Sequence, residues 1–385
     1  GIRGPERKVP LMDLDFTEEH EMLREMVRGV CAEYSPLDVV RALEDDPKGY
    51  PDDLWKQLSE LGLVGILIPE RFGGQGQTLL EAAILYEELG RALAPVPHLH
   101  SAVLSAGAIL RAGSDALKSS LLPKIAAGEQ IVTPAWLEPR NGFGAKGVQM
   151  RAEEDGDGFV LSGTKLHVNF ASSADRLLVL ARTGDGETDV DLFLVETAAP
   201  GVALSQRKNL GSETTYRVDF DRVRVPEEAR IGAAGSGWAT WNAVMHDGIV
   251  LVAAQAAGGA KAALEMTVEY AKTREQFGKP LGAFQSISHY LADAATAIEG
   301  GSTLVYEAAW SRGAGKDVSL LAPMAKLFMG EAFRDVTQHC QQVWGGVGFT
   351  IEYDIQLYFR RAKQLQISWW DDRTLGELIA RQELD

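Results

Sequence analysis

The sequence predicts an α+β fold with an N-terminal helical domain, a middle antiparallel β domain and a C-terminal four-helix bundle. Apolar residues recur at helical spacing in the first third of the chain, follow the two-residue period of strands in the middle, and return to helical spacing in the last third. A chain of 385 residues suits two or three domains. Residues 1–11 carry no periodicity and are left out of the prediction. We place the domains at 12–128, 129–236 and 237–385.

The first domain is predicted to begin with a capped helix. The run "TEEHEMLREMVRGVCAEY" opens with Thr17, which we expect to form a capping box with a glutamate of the first turn, and then repeats its apolar residues at helical spacing. Further helices of this domain are predicted at 51–62, 78–93, 101–112 and 114–127.

The middle domain is predicted from four runs with strand character, separated by turn signals such as "DGDG" and "TGDGETD". The runs are "GFVLSGTKLHV", "DRLLVLART", "VDLFLVE" and "YRVDFDRVRVP". Helical spacing then returns, and helices of the last domain are predicted at 239–273, 283–312, 316–343 and 354–368.

Composition excludes several classes of function. The net charge of −16 would repel nucleic acid and anionic membrane surfaces, so neither is an expected partner. No apolar run reaches the ~18 to 20 residues that a membrane helix needs. Cys31 and Cys340 are the only cysteines and lack metal-ligand spacing, so we expect no disulfide framework and no metal site. This pattern fits a cytoplasmic protein.

Two glycine-bearing segments of the last domain go beyond core packing. In "EYAKTREQFGKPLGAFQ" (269–285), a turn carries Arg274 and Gln276, and it is equally consistent with a solvated turn and with a site for a pyrophosphate or a partner chain. In "QQVWGGVGFT" (341–350), the glycines either cap a helix or let the backbone approach a flat ligand. Neither segment is the glycine-rich turn of a Rossmann fold.

Taken together, "YAKTREQFGKPLGAFQ", "QVWGGVGF" followed by "EYD", and the mid-chain "LEP" with "GDGFVLSGTK" resemble the acyl-CoA dehydrogenase family. The resemblance implies bound FAD and oxidation of an acyl-CoA thioester, fatty-acyl or sterol-derived, to a trans-2-enoyl-CoA. It also implies an electron-transfer flavoprotein as electron acceptor. The expected assembly is a homotetramer, arranged as a dimer of dimers, or an α2β2 heterotetramer.

The resemblance also implies the residues that bind FAD. One group is expected to contact FAD from a neighbouring subunit or along the adenine and pyrophosphate path: Arg274, Gln276, Phe277, Gln285, Gln342, Gly345 and Gly346. The second group is expected around the isoalloxazine: Trp136 and Leu137 on one side, and His167, Val168 and Asn169 at its edge.

Three departures from the family pattern concern the reaction itself. After "LEP" the chain reads "RNGFGAKG" instead of the usual "GxGSD", which puts the thioester contact in question. Asn169 replaces a threonine, and His167 replaces an aromatic residue; we expect a structural or stacking histidine there more than a catalytic one. "QISWWDD" places Trp369 where many members carry the catalytic glutamate, and an indole cannot accept a proton.

The candidate for the catalytic base is Asp247, the only acidic residue of "MHDGIVLVAAQAAGGA" (245–260). Some relatives supply the carboxylate from this helix, at the place of Gly248. Asp247 is interpreted as the base, with a solvated residue near the helix N-terminus as the alternative and Asp371 or Asp372 as a third possibility. If no carboxylate faces the flavin, the chain is instead a non-catalytic or half-site subunit that pairs with a competent chain.

Overall fold

The structure, a computed structural model, describes residues 16–211 and 213–384. Residues 1–11 and the predicted domain start at residue 12 lie outside the described residues. The helices are α1 (Glu18–Tyr34), α2 (Leu37–Ala42), α3 (Asp52–Glu60), α4 (Leu79–Arg91), α5 (Ala106–Ala112), α6 (Asp115–Ala126), α7 (Gly237–Thr273), α8 (Gln285–Gly313), α9 (Leu321–Trp344), α10 (Ile355–Ile367) and α11 (Asp372–Leu384). A π-helical segment, Leu99–Ser105, leads directly into α5.

The strands lie between the two sets of helices. They are β1 (Val132–Ala135), β2 (Arg151–Asp155), β3 (Gly158–Asn169), β4 (Arg176–Arg182), β5 (Val190–Glu196), β6 (Val202–Arg207), β7 (Thr215–Pro226) and β8 (Arg230–Ile231), with a short pair, β9 (Glu275–Gln276) and β10 (Lys279–Pro280), after α7. The described order of elements is therefore helices, sheet and helices.

The N-terminal domain is built on α4, most of whose residues are buried. Helix α1 packs against it, and Nε of Arg28 donates to the buried Glu88 at 2.9 Å. The capping box of α1 forms at Thr17, but the expected glutamate partner is wrong. The third helical residue is His20, whose Nδ1 accepts from the backbone N–H of Thr17 at 3.2 Å. An imidazole acceptor thus takes the place of the usual carboxylate.

The middle domain is a sheet with the strand order β6-β7-β3-β2-β4-β5-β8, and β1 also pairs with β4. Most strand pairs are antiparallel, as predicted, but β1 and β2 both pair with β4 in parallel. Parallel neighbours need a long crossover, and residues 136–175, which separate β1 from β4, provide it. That crossover contains the hairpin of β2 and β3.

The C-terminal domain is a bundle of α7, α8, α9 and α10, with α11 packed on α9. Contrary to the expectation from sequence, α7 is long and apolar enough to cross a membrane, with a mean hydropathy of 1.3, although 72% of that window is buried inside the structure. Its small residues let a neighbouring helix pack closely against it, which contributes to this burial. A Cβ atom added at Gly258 would collide with the backbone oxygen of Glu87 on α4, so glycine permits this close approach.

Candidate functional site

A cavity of about 260 Å³ lies where the three predicted domains meet. Its walls come from α4 and the segment that follows it, from loops of the β domain, and from α7 and the end of α10. Four of the five residues predicted around the isoalloxazine line it: Trp136, Leu137, His167 and Asn169. The fifth, Val168, is fully buried within the core of the sheet and is absent from the lining, because alternate strand residues point to opposite faces.

A buried ion pair holds the Trp136 wall in place. The ammonium of Lys165, which is fully buried on β3, lies 2.7 Å from Oε1 of Glu138. Glu138 also accepts from the backbone N–H groups of Gln149 and Met150 at 3.0–3.2 Å. Burial lowers the pKa of Lys165 to about 8, although Glu138 opposes that shift. The "LEP" and "TK" segments quoted from the sequence contain this pair, but its function as a clamp was not predicted.

His167 reaches the rim of the cavity because the strand is irregular there. The register of β3 against β7 shifts between Lys165 and Val168, and His167 has a φ of 53°, in the left-handed region. Such a bulge re-aims the side chain. Asn169 follows and is buried, and Thr133 donates its hydroxyl to the backbone oxygen of Asn169 at 2.7 Å.

One carboxylate that the sequence did not single out lines the cavity. Oε2 of Glu213 accepts from the side-chain amides of Asn169 at 3.1 Å and Gln364 at 2.7 Å. Oε1 lies 3.5 Å from Arg361, and burial lowers the pKa of that guanidinium. No motif marks Glu213, because its partners come from distant parts of the chain. Both of its carboxylate oxygens are thus engaged by side chains of the described residues.

Trp369 lines the cavity at the place where the family resemblance expects a catalytic carboxylate. Its ring is nearly parallel to that of Trp136, at 13°, with 6.3 Å between the ring centroids. Both Trp369 and Trp370 have positive φ, at 53° and 70°. Trp370 is buried in the core, so it packs inside the protein, whereas Trp369 faces the cavity.

The turn that carries these tryptophans is held by a buried lysine. Nζ of Lys326 on α9 donates to the backbone oxygens of Gln366 at 2.9 Å and Trp370 at 3.0 Å. Burial lowers the pKa of Lys326 to about 7, with Asp371 and Asp372 opposing the shift. Neither aspartate lines the cavity: Asp371 accepts from the backbone and hydroxyl of Thr374, and Asp372 accepts from Gln366.

Asp247 is not among the residues that line the cavity, and its function as the catalytic base stays a prediction. Its carboxylate lies 2.6 Å from Nε of Arg312 and 2.7 Å from the guanidinium of Arg111, and thus links α7 to α8 and α5. The packing of the next residue, Gly248, explains why the Asp247 side chain points away from the cavity. A Cβ atom at Gly248 would lie 2.7 Å from Leu104 of the π-helical segment, and consecutive helical residues point about 100° apart.

The second group of predicted FAD residues lies outside the cavity lining. All seven are exposed, and Phe277 is 92% exposed. Gln255 lines the cavity, and Arg274 follows it by nineteen residues, about 28 Å along a helix axis. Within residues 16–211 and 213–384, no ion-pair partner is found for the Arg274 guanidinium. A Cβ atom at Gly345 or Gly346 would meet nothing within 4 Å.

No group of three or more metal-binding side chains occurs in the part of the chain that the structure describes. Cys31 and Cys340 are both free and buried. Burial raises the pKa of the Cys340 thiol to about 11, so this thiol is a packing residue in the described fold.

Three family models match the chain in order: the acyl-CoA dehydrogenase N-terminal domain over residues 17–129, the middle domain over 134–223 and the C-terminal domain over 235–383. A short-chain specific acyl-CoA dehydrogenase of Megasphaera elsdenii is 35% identical, over 84% of this chain and 88% of the relative. The structure of butyryl-CoA dehydrogenase from the same organism is similar with a TM-score of 0.91 and 30% identity, covering 97% of this chain and 100% of that one. The ChsE4-ChsE5 complex from Mycobacterium tuberculosis is similar with a TM-score of 0.88 and 29% identity, covering 96% and 98%.

Proposed function

The chain belongs to the acyl-CoA dehydrogenase family, and from this premise we propose that it is an FAD-binding subunit of an enzyme that oxidises the Cα–Cβ bond of an acyl-CoA thioester. The family is one of oxidoreductases, and its cofactor is FAD. The observation that carries the proposal is the cavity between the domains, which brings together Trp136, Leu137, His167 and Asn169 from separate segments.

The cavity fits a flat, partly polar ring. Trp136 and Trp369 supply flat apolar walls, and His100 contributes a buried imidazole whose nitrogens have no hydrogen-bond partner in the described residues. Ligand sites combine such walls with a few convergent polar groups. Within this chain, Trp136, Leu137, His167 and Asn169 would hold the isoalloxazine of FAD.

The exposed second group fits the other end of the cofactor, on a neighbouring chain. Arg274 offers a guanidinium without an ion-pair partner among the described residues, which suits a diphosphate, and Gly345 and Gly346 leave their backbone open to close approach. Arg274 lies ~28 Å along α7 from Gln255, which lines the cavity, so one chain can contact FAD at two separate places. This separation supports two FAD molecules, each shared by two chains. Gln276, Phe277, Gln285 and Gln342 belong to this surface, and the proposed assembly is a dimer of dimers.

Bound FAD supplies the hydride acceptor of the reaction. The chain itself must bind and orient the acyl group, exclude water and accept the α-proton at a carboxylate. In the described residues, Glu213 is the carboxylate of the cavity lining, and it is committed to Asn169, Gln364 and Arg361. Asp247 is held outside by two arginines.

The engagement of both carboxylates favours a half-site subunit. Such a subunit binds FAD but depends on a competent partner chain for the reaction. A similar protein has been solved as the ChsE4-ChsE5 complex, which supports this form. The other form is a homotetramer in which Asp247 leaves its arginines and acts as the base. An electron-transfer flavoprotein as acceptor and a cytoplasmic location belong to both forms, and the family resemblance supports them.

The flavin spectrum of the purified chain, titrated with acyl-CoA esters of different length, tests the proposal. A half-site subunit takes up FAD alone or with a partner, and the isolated chain shows no bleaching with any acyl-CoA. A homomeric enzyme binds FAD alone and bleaches. Absence of FAD from the chain with and without co-expressed family members would contradict the proposed function as a whole.

In the homomeric form, Asp247→Asn abolishes ferricenium-coupled turnover while FAD stays bound. Asp247→Glu, which keeps the charge, should retain part of the turnover. Full turnover of Asp247→Asn would remove Asp247 from the reaction.

A further inference from the structure

His100 is a buried histidine of the π-helical segment that lines the cavity, and the proposed function gives it no specific contact. Its exposed fraction is 3%, and neither ring nitrogen has a partner with hydrogen-bond geometry in the described residues, although the Asn169 side chain lies close enough to raise the pKa of the imidazole. Its ring lies edge-on to Phe170 and tilted against Trp369, at 5.3 Å between ring centroids in both cases. These aromatic neighbours give the imidazole nitrogens no hydrogen bond.

A buried polar group without a partner is unfavourable for folding, and most such groups in native proteins are paired. A leucine or phenylalanine would fill the same space without that cost. The position of His100 on a cavity wall therefore indicates a partner that enters the cavity. A cavity that never holds a ligand would offer the imidazole no hydrogen-bond partner.

We propose that His100 binds the flavin, with one ring nitrogen in a hydrogen bond to a polar atom of the isoalloxazine. The inference rests on the FAD-binding part of the proposed function. Phe170, which His100 contacts, directly follows Asn169, so His100 lies at the end of the cavity where the predicted flavin-edge residues meet. The isoalloxazine carries carbonyl oxygens and ring nitrogens at its edge, which suit an imidazole donor or acceptor.

The protonation state agrees with this geometry. Burial lowers the pKa of His100 to about 3, with the Asn169 side chain opposing the shift and His98 adding to it. The ring is therefore neutral near pH 7, with one N–H donor and one acceptor nitrogen. His100 adds no charge to the cavity, and it acts there as a hydrogen-bonding group.

His98, two residues earlier, provides a matched comparison. It is equally buried and lines the same cavity, but both nitrogens are engaged: Nδ1 with the hydroxyl of Tyr86 at 2.8 Å and Nε2 with the backbone oxygen of Leu63 at 3.0 Å. The hydrogen bonds of His98 thus stabilise the fold, whereas the ring nitrogens of His100 are available to a ligand. The two histidines should respond to the same substitution in opposite ways.

The test replaces each histidine by phenylalanine in the full chain, with its partner chain if FAD uptake requires one, and adds His100→Gln. His100→Phe should weaken FAD binding about tenfold, the effect of one lost hydrogen bond, shift the flavin absorbance bands and leave the melting temperature of the FAD-free protein unchanged or raised. His100→Gln should recover part of the affinity. His98→Phe should lower the melting temperature of the FAD-free protein.

Three results would overturn the inference. Unchanged FAD affinity and spectrum in His100→Phe, in a preparation whose wild type binds FAD, would refute the role of His100 and leave the proposed function standing. Unchanged FAD binding with weakened acyl-CoA binding would assign His100 to the thioester. A wild type that takes up no FAD under any condition would refute both proposals.

Discussion

The Lys165–Glu138 pair gives the sharpest prediction about how the site is built. Both side chains are buried, with exposed fractions of 0% and 6%, and their charged atoms are 2.7 Å apart. Lys165→Met removes the ammonium but leaves the Glu138 carboxylate in a buried environment. Breaking a buried pair in this way costs about 3–5 kcal/mol of unfolding free energy. The Trp136 segment should loosen as well.

Arg151→Met is the matched control, because Arg151 and Asp185 also lie 2.7 Å apart but have exposed fractions of 53% and 90%. An exposed pair contributes only about 0–1 kcal/mol. Urea denaturation of the FAD-free protein measures both variants. Equal losses in the two variants, or a loss below about 1 kcal/mol for Lys165→Met, would refute the reasoning that burial makes this pair a structural clamp.

Three further predictions test other parts of the molecule. Burial lowers the pKa of Lys326 from 10.5 to about 7, so the unfolded chain binds more protons than the folded chain between these pH values. The free energy of unfolding should therefore rise with pH across that window, by up to about 1.4 kcal/mol per pH unit. Urea denaturation of Lys326→Met should show a smaller rise, and equal slopes in the variant and the wild type would contradict the assignment. Arg274→Ala should weaken FAD binding roughly tenfold to a hundredfold, as expected for a charged hydrogen bond, whereas Lys272→Ala, whose lysine is paired with Glu269 at 2.6 Å, should leave flavin fluorescence titrations unchanged. Asp247→Asn should lower the unfolding free energy by about 1 kcal/mol, because Arg111 and Arg312 are each 34% exposed, and a thermal melt without any change would show that the two ion pairs contribute nothing.

Elements with a clear period could be predicted from sequence, whereas some polar elements could not. Helix α7 and strands β3, β5 and β7 lie close to their predicted ranges because their burial patterns dominate the local sequence. Strand β2 was missed, since "RAEED" has one buried residue and gains its place only by pairing with β3 and β4. Helix α11 was missed as well, and it packs on α9 with Leu375 as its buried residue.

The site divides in the same way. Segments with family motifs led to Trp136, Leu137, His167 and Asn169, which the fold gathers around one cavity. Glu213 carries no motif, and its partners Gln364 and Arg361 lie about 150 residues further along the chain, so only the folded structure reveals the group. The direction of Asp247 likewise depends on how closely Gly248 packs against Leu104.

The two tryptophans decide what the cavity of a single chain can accept. Trp136 and Trp369 lie nearly parallel with centroids 6.3 Å apart, whereas a flat ligand between them would need two contact spacings of about 3.5 Å or more. A ring or acyl group therefore cannot enter between them unless Trp369 moves. Lys326 holds the turn that carries Trp369, and Lys165 holds the Trp136 segment from the other side. Two buried lysines thus fix the walls in an arrangement that closes the space between the two rings. Because Glu213 is engaged by Asn169, Gln364 and Arg361, and Asp247 by two arginines, we expect the reacting carboxylate on a partner chain.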